Sequence, residues 1–200
     1  MLLQMGDERI MINLEMQKKQ FEKHVAKFTD LGQIKILDFG KPNTNVYAIR
    51  FLFDETSYAL HITGDLGELT ATNYNNMTYE GFKAFVRSPS YFKSKINCCS
   101  RGIIEYNEDK AYKEIEEYIK EYELELPEYY ENTHDFICDV LENFSDRNGL
   151  SEKGYDVLSE IDSDCWEWCG DLGKESTGII ETYLLAFELA TEQLKNKGAE

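Results

Sequence analysis

His134 and Cys138 are separated by three residues, and so are Cys165 and Cys169. On a helix, an i, i+4 spacing aims two side chains the same way, so each pair can offer two ligands to one tetrahedral zinc. His134, Cys138, Cys165 and Cys169 together make a structural zinc site one candidate chemistry, with Cys98 or Cys99 able to replace one ligand. The competing reading is a set of reduced core thiols. The short C-x₂-C knuckle is absent, and Trp166 and Trp168 mark an apolar neighbourhood in which free cysteines are common. A catalytic zinc is disfavoured, since there is no H-E-x-x-H and no H-x-E with C-x-x-C. Nucleophilic catalysis is disfavoured too. Nothing local couples Cys98-Cys99 to His24, His61 or His134, and no G-x-S-x-G occurs. The expectation is a protein that is not an enzyme.

The second candidate chemistry is electrostatic. Residues 101–200 carry 27 Asp and Glu against 9 Lys and Arg, a net of −18, whereas residues 1–100 carry a net of +1. From Glu114 to Glu142 there are eleven carboxylates and one lysine, Lys120. Such a field repels nucleic acid and anionic membrane and attracts basic surfaces. One reading is an ordinary solvated helix face: Tyr112, Ile115, Tyr118, Ile119 and Tyr122 would form the buried stripe, with Glu114, Glu117, Glu121 and Glu128 in water. A second is a binding face that imitates a phosphate backbone, because helical carboxylates repeat every ~5–6 Å along one face. Its candidate residues are Glu114, Glu117, Glu121, Glu125, Glu128, Glu131 and Asp135. A third is a divalent-cation site, for which the EF-hand spacing is missing. The binding reading gains from the scarcity of Lys and Arg at i+4, where ordinary surface helices place them.

These residues must be positioned by elements that the period of the sequence reveals. Ile12, Met16, Phe21, Val25 and Phe28 recur at roughly helical spacing, which predicts an amphipathic helix over 12–30 closed by Gly32. Alternating, β-rich segments begin at Ile34 and follow at 46–53, 58–62 and 68–72. Short turns between them predict a four-stranded antiparallel meander. From Thr78 the period turns helical, with Tyr91–Ile96 continuing it, and helices are predicted near 107–124, 128–146, 151–161 and 175–196. The expected fold class is α+β. A small N-terminal four-stranded antiparallel sheet with a helix (1–100) precedes an acidic all-helical half (101–200), as two units or packed as one domain.

Between the third and fourth strands stands Thr63-Gly64-Asp65-Leu66-Gly67, whose simplest meaning is a hairpin turn. It lacks the Lys-Ser/Thr of a phosphate loop. With Tyr58–Ile62 before it, and Phe82-Lys83-Ala84-Phe85 and Tyr91-Phe92-Lys93-Ser94-Lys95-Ile96 after it, it resembles a group of small proteins encoded by phages and mobile elements. In that group a strand ends in a TGD-aromatic/aliphatic-G turn, and a helix follows with a YF-x-SK-[IL] stretch. The resemblance covers residues 45–100. It implies provenance, and with it host take-over or anti-defence roles, including anti-CRISPR inhibition. The partner it implies is the basic surface of a host nucleic-acid-binding effector, such as a Cas protein, with no direct nucleic acid and no membrane. The alternative is a zinc-stabilised structural or interaction protein of a phage or mobile element without an inhibitory role. No run approaches the ~18 apolar residues of a membrane span. The first residues lack the pattern of a secretory signal, and five cysteines do not form a secreted disulfide framework, so a cytoplasmic location is expected.

Overall fold

The computed structural model describes residues 15–198. The chain divides into two compact units, Met1–Ile103 with Gly178–Glu200, and Ile104–Thr177. Among the described residues no helix is long and apolar enough to cross a membrane.

The first unit is built on a six-stranded antiparallel meander: β1 (Val25–Leu31), β2 (Ile34–Gly40), β3 (Ile49–Asp54), β4 (Ala59–Gly64), β5 (Leu69–Thr72) and β6 (Ile96–Cys99), hydrogen-bonded in that order. Alternation drives it. Leu37, Phe39, Phe51, Phe53, Leu60, Ile62, Leu69 and Ala71 point to one buried face, in a register that pairs Leu37 with Phe51 and Phe51 with Ile62. Ahead of the sheet lies α1, residues 15–21. Two short helices, α2 (Lys83–Val86) and α3 (Pro89–Lys93), connect β5 to β6. The last helix, α7 (Ile179–Gly198), buries Ile180, Tyr183, Phe187 and Ala190. Phe187 meets Phe51, Phe53 and Phe82 edge-on, with ring centroids 5.6, 6.0 and 4.8 Å away. Gln193 then bonds the backbone of His24 and Ala26, tying α7 to the start of β1.

The sheet therefore has six strands where four are expected from the pattern. The helix predicted over 12–30 ends at residue 21 among the described residues, and 12–14 lie outside them. Val25 and Phe28, three apart, fit a helix in sequence but sit in an edge strand that pairs with β2 along its whole length. The second added strand is β6. Tyr91–Ile96 does not continue as helix beyond Lys93, and Ile96–Cys99 closes on β5 instead.

The turn Thr63–Gly67 laces this sheet together. Asp65 accepts a hydrogen bond from the Tyr47 backbone N–H at 2.8 Å, and its own N–H donates to the Ala48 carbonyl at 3.0 Å. Gly64 adopts φ +142°, and a Cβ there would lie 2.0 Å from the Ala48 oxygen.

Near that turn His24 is buried, 4% exposed, between Phe21 and Phe39. Its Nε2 lies 3.2 Å from the Tyr47 carbonyl, and Nδ1 has no hydrogen-bond partner among the described residues. Burial lowers its pKa below the ordinary 6.5, against the Tyr47 bond, and Lys41 lowers it further. A histidine that resists protonation in the fold binds more protons unfolded, so stability falls as pH drops from 6.5 toward the folded value and then levels off. Denaturant titrations of wild type and His24→Leu on both sides of that window should show this slope in the wild type only. Equal slopes would contradict it.

The second unit is not all-helical. A two-stranded ribbon pairs β7 (Ile104–Tyr106) with β8 (Lys174–Ser176). Between them lie α4 (Glu108–Glu121), α5 (Thr133–Val140), α6 (Glu152–Ser159) and two 3₁₀ turns, Cys165–Glu167 and Cys169–Asp171. Each helix opens on a side-chain cap: Asn107 accepts from Lys110 N, Asn132 from Asp135 N and Ser151 from Gly154 N. Asn132 is the reason the helix predicted from 128 starts only at 133. Its extended backbone and cap begin α5 there, while 124–132 form turns and loop. The core gathers Ala111, Ile115, Ile119, Phe136, Ile137, Val140, Leu158 and Leu172.

Candidate functional site

Charge separates along the fold more sharply than along the sequence. Ile104–Thr177 holds 23 acidic against 6 basic side chains, a net of −17. The rest of the chain holds 15 of each and is neutral. The whole net charge of the protein thus belongs to the smaller unit. Helix α7, predicted within the acidic half, carries its residues into the neutral unit.

The carboxylates of 114–142 fall into two groups. Four have internal work. Glu114 accepts from the Gly173 N–H at 2.7 Å and lies 3.5 Å from Lys110 Nζ. Asp135 exchanges hydrogen bonds with Asn132 in a reciprocal cap, at 2.9 and 3.0 Å. Asp139 and Glu142 share Lys153, which stands 2.6 Å from Asp139. The other seven are Glu116, Glu117, Glu121, Glu123, Glu125, Glu128 and Glu131. All are exposed, and none forms an ion pair among the described residues. They occupy the last turns of α4 and the connection to α5. Of the seven residues expected to form the binding face, Glu117, Glu121, Glu125, Glu128 and Glu131 therefore remain available, while Glu114 and Asp135 hold the fold.

The end of α4 sets how these groups are displayed. Tyr122 caps the helix, Glu123 turns left-handed at φ +48°, and the Leu124 N–H returns to the Ile119 carbonyl at 3.0 Å. That is the hydrogen bond of a Schellman stop, with Leu124 and Ile119 packed into the same core. A non-glycine residue in this conformation costs about 1–2 kcal/mol, partly offset by the greater unfolded freedom of glycine. Glu123→Gly is expected to stabilise the unit by about 0.5–1 kcal/mol in urea denaturation. A lower midpoint would show that the turn is not strained.

Aromatic rings lie among the carboxylates. Tyr122, predicted in the buried stripe of α4, is 59% exposed, because the stripe that buries is Ala111, Ile115 and Ile119. Tyr118 and Tyr112 are half-buried. The Tyr118 hydroxyl donates to Asp162 at 2.7 Å and Trp168 Nε1 donates to the same oxygen at 3.0 Å. The bond to that carboxylate, with the burial of the ring, pushes the Tyr118 phenol up to about 12, and the hydrogen bonds donated by Tyr118 and Trp168 hold Asp162 below the usual range. Tyr129 and Tyr130 donate likewise to Glu160 and Asp139. No spacing in the sequence signals these pairs, since Tyr118 and Asp162 are 44 residues apart.

The candidate zinc ligands occupy two different surroundings. His134 and Cys138 face solvent on α5, with Cys138 Sγ 3.6 Å from His134 Nε2 and the Tyr112 hydroxyl 2.9 Å from Nδ1. Cys165 and Cys169 are buried in the core of the unit. Burial pushes the Cys165 thiol up to about 11 and raises Cys169, so both are protonated at neutral pH. Among the described residues no group of three or more His, Cys, Asp or Glu side chains is placed to hold a metal ion. The geometry thus does not assemble the four into one tetrahedral site. The exposed Cys98 lies on β6 in the other unit.

Fold and surface together define a two-unit α+β protein that carries its charge on one small, aromatic-rich unit. Comparison with known proteins finds no family model, no curated protein and no solved structure that matches the chain.

Proposed function

We propose that Ile104–Thr177 is an anionic docking face for a basic, nucleic-acid-binding protein, and that the chain acts by occupying that protein's nucleic-acid channel. The observation that carries this reading is the set of seven exposed carboxylates without ion pairs among the described residues, in a unit holding all of the protein's net charge. Only Glu116 and Glu117 have a lysine four residues away, Lys120 and Lys113, and the other five have none, whereas a domain that only needed solubility would gain by pairing them. Unpaired carboxylates instead keep their attraction for an external Lys/Arg surface. They compete for the side chains that would hold a phosphate backbone.

The resemblance of the residue 45–100 motifs to phage-encoded proteins favours a partner in host defence. A CRISPR effector fits the chemistry well, because its channel grips nucleic acid largely through backbone contacts and a carboxylate surface can engage the same groups. On this reading the protein is a cytoplasmic inhibitor and not an enzyme, and Glu117, Glu121, Glu125, Glu128 and Glu131 are its principal contacts. The test is recovery of the protein's partner from nuclease-treated host extract, followed by competition with DNA for the purified partner over a range of salt. Affinity should fall steeply as salt rises, and DNA should be displaced. Binding that is flat in salt, or that leaves DNA bound, rules the reading out.

A further inference from the structure

We infer that the partner is engaged through arginine rather than lysine, at the aromatic stack beside the free carboxylates at and just beyond the end of α4. This inference rests on the anionic docking reading and specifies its chemistry. Tyr118 lies against both Trp168 and Tyr122, with ring centroids 4.1 and 4.6 Å apart and interplanar angles of 34° and 42°. The stack is held in place. Asp162 accepts from the Tyr118 hydroxyl and the Trp168 indole, and its second oxygen accepts from the Asp164 backbone N–H at 2.9 Å. Three donors occupy this carboxylate, so it serves as the fastening of the rings rather than as a contact for an incoming cation.

The outer ring, Tyr122, is exposed, and its chain neighbours Glu121, Glu123 and Glu125 are exposed and without ion pairs among the described residues. A π-face next to free carboxylates suits one side chain above others. Guanidinium is planar and weakly hydrated. It stacks on aromatic faces while donating two parallel hydrogen bonds to a carboxylate. An ammonium is a compact, strongly hydrated point charge that gains the field but little from the ring plane. Because Tyr118 and Trp168 are already fixed, only Tyr122 loses side-chain freedom when the partner docks. The charge of the unit draws any basic segment, and the stack discriminates among them.

The experiment compares two fluorescently labelled peptides of equal length and charge, one of arginine and one of lysine, titrated with the full chain and with Tyr122→Leu. Wild type should bind the arginine peptide about two- to fivefold more tightly, the value of one exposed cation–π contact. Tyr122→Leu should bring the two peptides to parity while leaving the lysine affinity and its salt slope unchanged. Tyr122 is exposed, so the substitution leaves the core intact, and thermal melting confirms it. Equal affinities in wild type, or a preference that survives Tyr122→Leu, overturn the inference but leave the anionic docking face standing. Failure of both peptides to bind at low salt overturns the docking reading itself.

Discussion

Reversing three charges, with Glu117→Lys, Glu121→Lys and Glu128→Lys combined, is expected to weaken binding to a basic partner by at least ~100-fold at low salt, with the fold unchanged. All three residues are exposed and none has an ion pair to lose among the described residues, so surface substitution costs the unit about 0.5 kcal/mol or less per site. Each reversal removes an attraction and installs a like charge against the partner's Lys/Arg surface, and close like charges across an interface cost several kcal/mol. The net charge of the chain moves from −17 to −11, since each change adds two. The salt slope should flatten accordingly. Reversal at Glu22 and Glu192, exposed in the neutral unit, should leave affinity within a few-fold. Glu114→Lys is the wrong probe, because Glu114 accepts from Gly173 and its loss disturbs folding. Equilibrium competition with DNA, read beside a melting curve, separates these outcomes. Undiminished affinity in the triple variant would remove the acidic face from the mechanism.

Gly64→Ala should destabilise the neutral unit by about 3 kcal/mol or more. Two independent causes act at that position. Its φ of +142° lies where L-residues are strained. The added methyl would also lie 2.0 Å from the Ala48 oxygen and 3.0 Å from its carbonyl carbon, and both are backbone atoms of the neighbouring strand entry. A flexible side chain could swing away, but a backbone held by the Asp65 N–H to Ala48 bond cannot do so without opening β3 against β4. Urea denaturation measures it, and a loss below about 1 kcal/mol would show that the turn rearranges freely. This outcome bears on function as well. The Thr63–Gly67 string, the most distinctive local motif in the chain, is accounted for by turn geometry. Asp65 spends its carboxylate on the Tyr47 N–H instead of on a ligand.

The central hairpins were readable because β2 to β5 are rich in β-forming residues, largely alternate and are joined by short connections. Period two with tight turns leaves little choice of pairing. The edge strands were not. β1 and β6 bury only part of one face, so Val25 and Phe28 match a helical period as well as a strand, and pairing with β2 and β5 decides between them. α7 shows a related limit. It is next to the acidic residues in sequence, but Tyr183 and Phe187 find their apolar partners on the sheet, and burial of that face assigns the helix to the neutral unit. For the site, the acidic stretch was legible and its free members were not. Glu114 accepts a hydrogen bond from a backbone N–H 59 residues away, and Tyr118 finds Asp162 across 44.

The amount of charge and its confinement to the second half follow from sequence alone, because charges add up regardless of conformation. So does the alternation that makes a sheet. Which carboxylates are spent inside the fold, which face water unpaired, and which rings stand beside them were decided only by tertiary structure. A hydrogen bond or a stacked ring depends on proximity in space, and spacing along the chain carries no record of that.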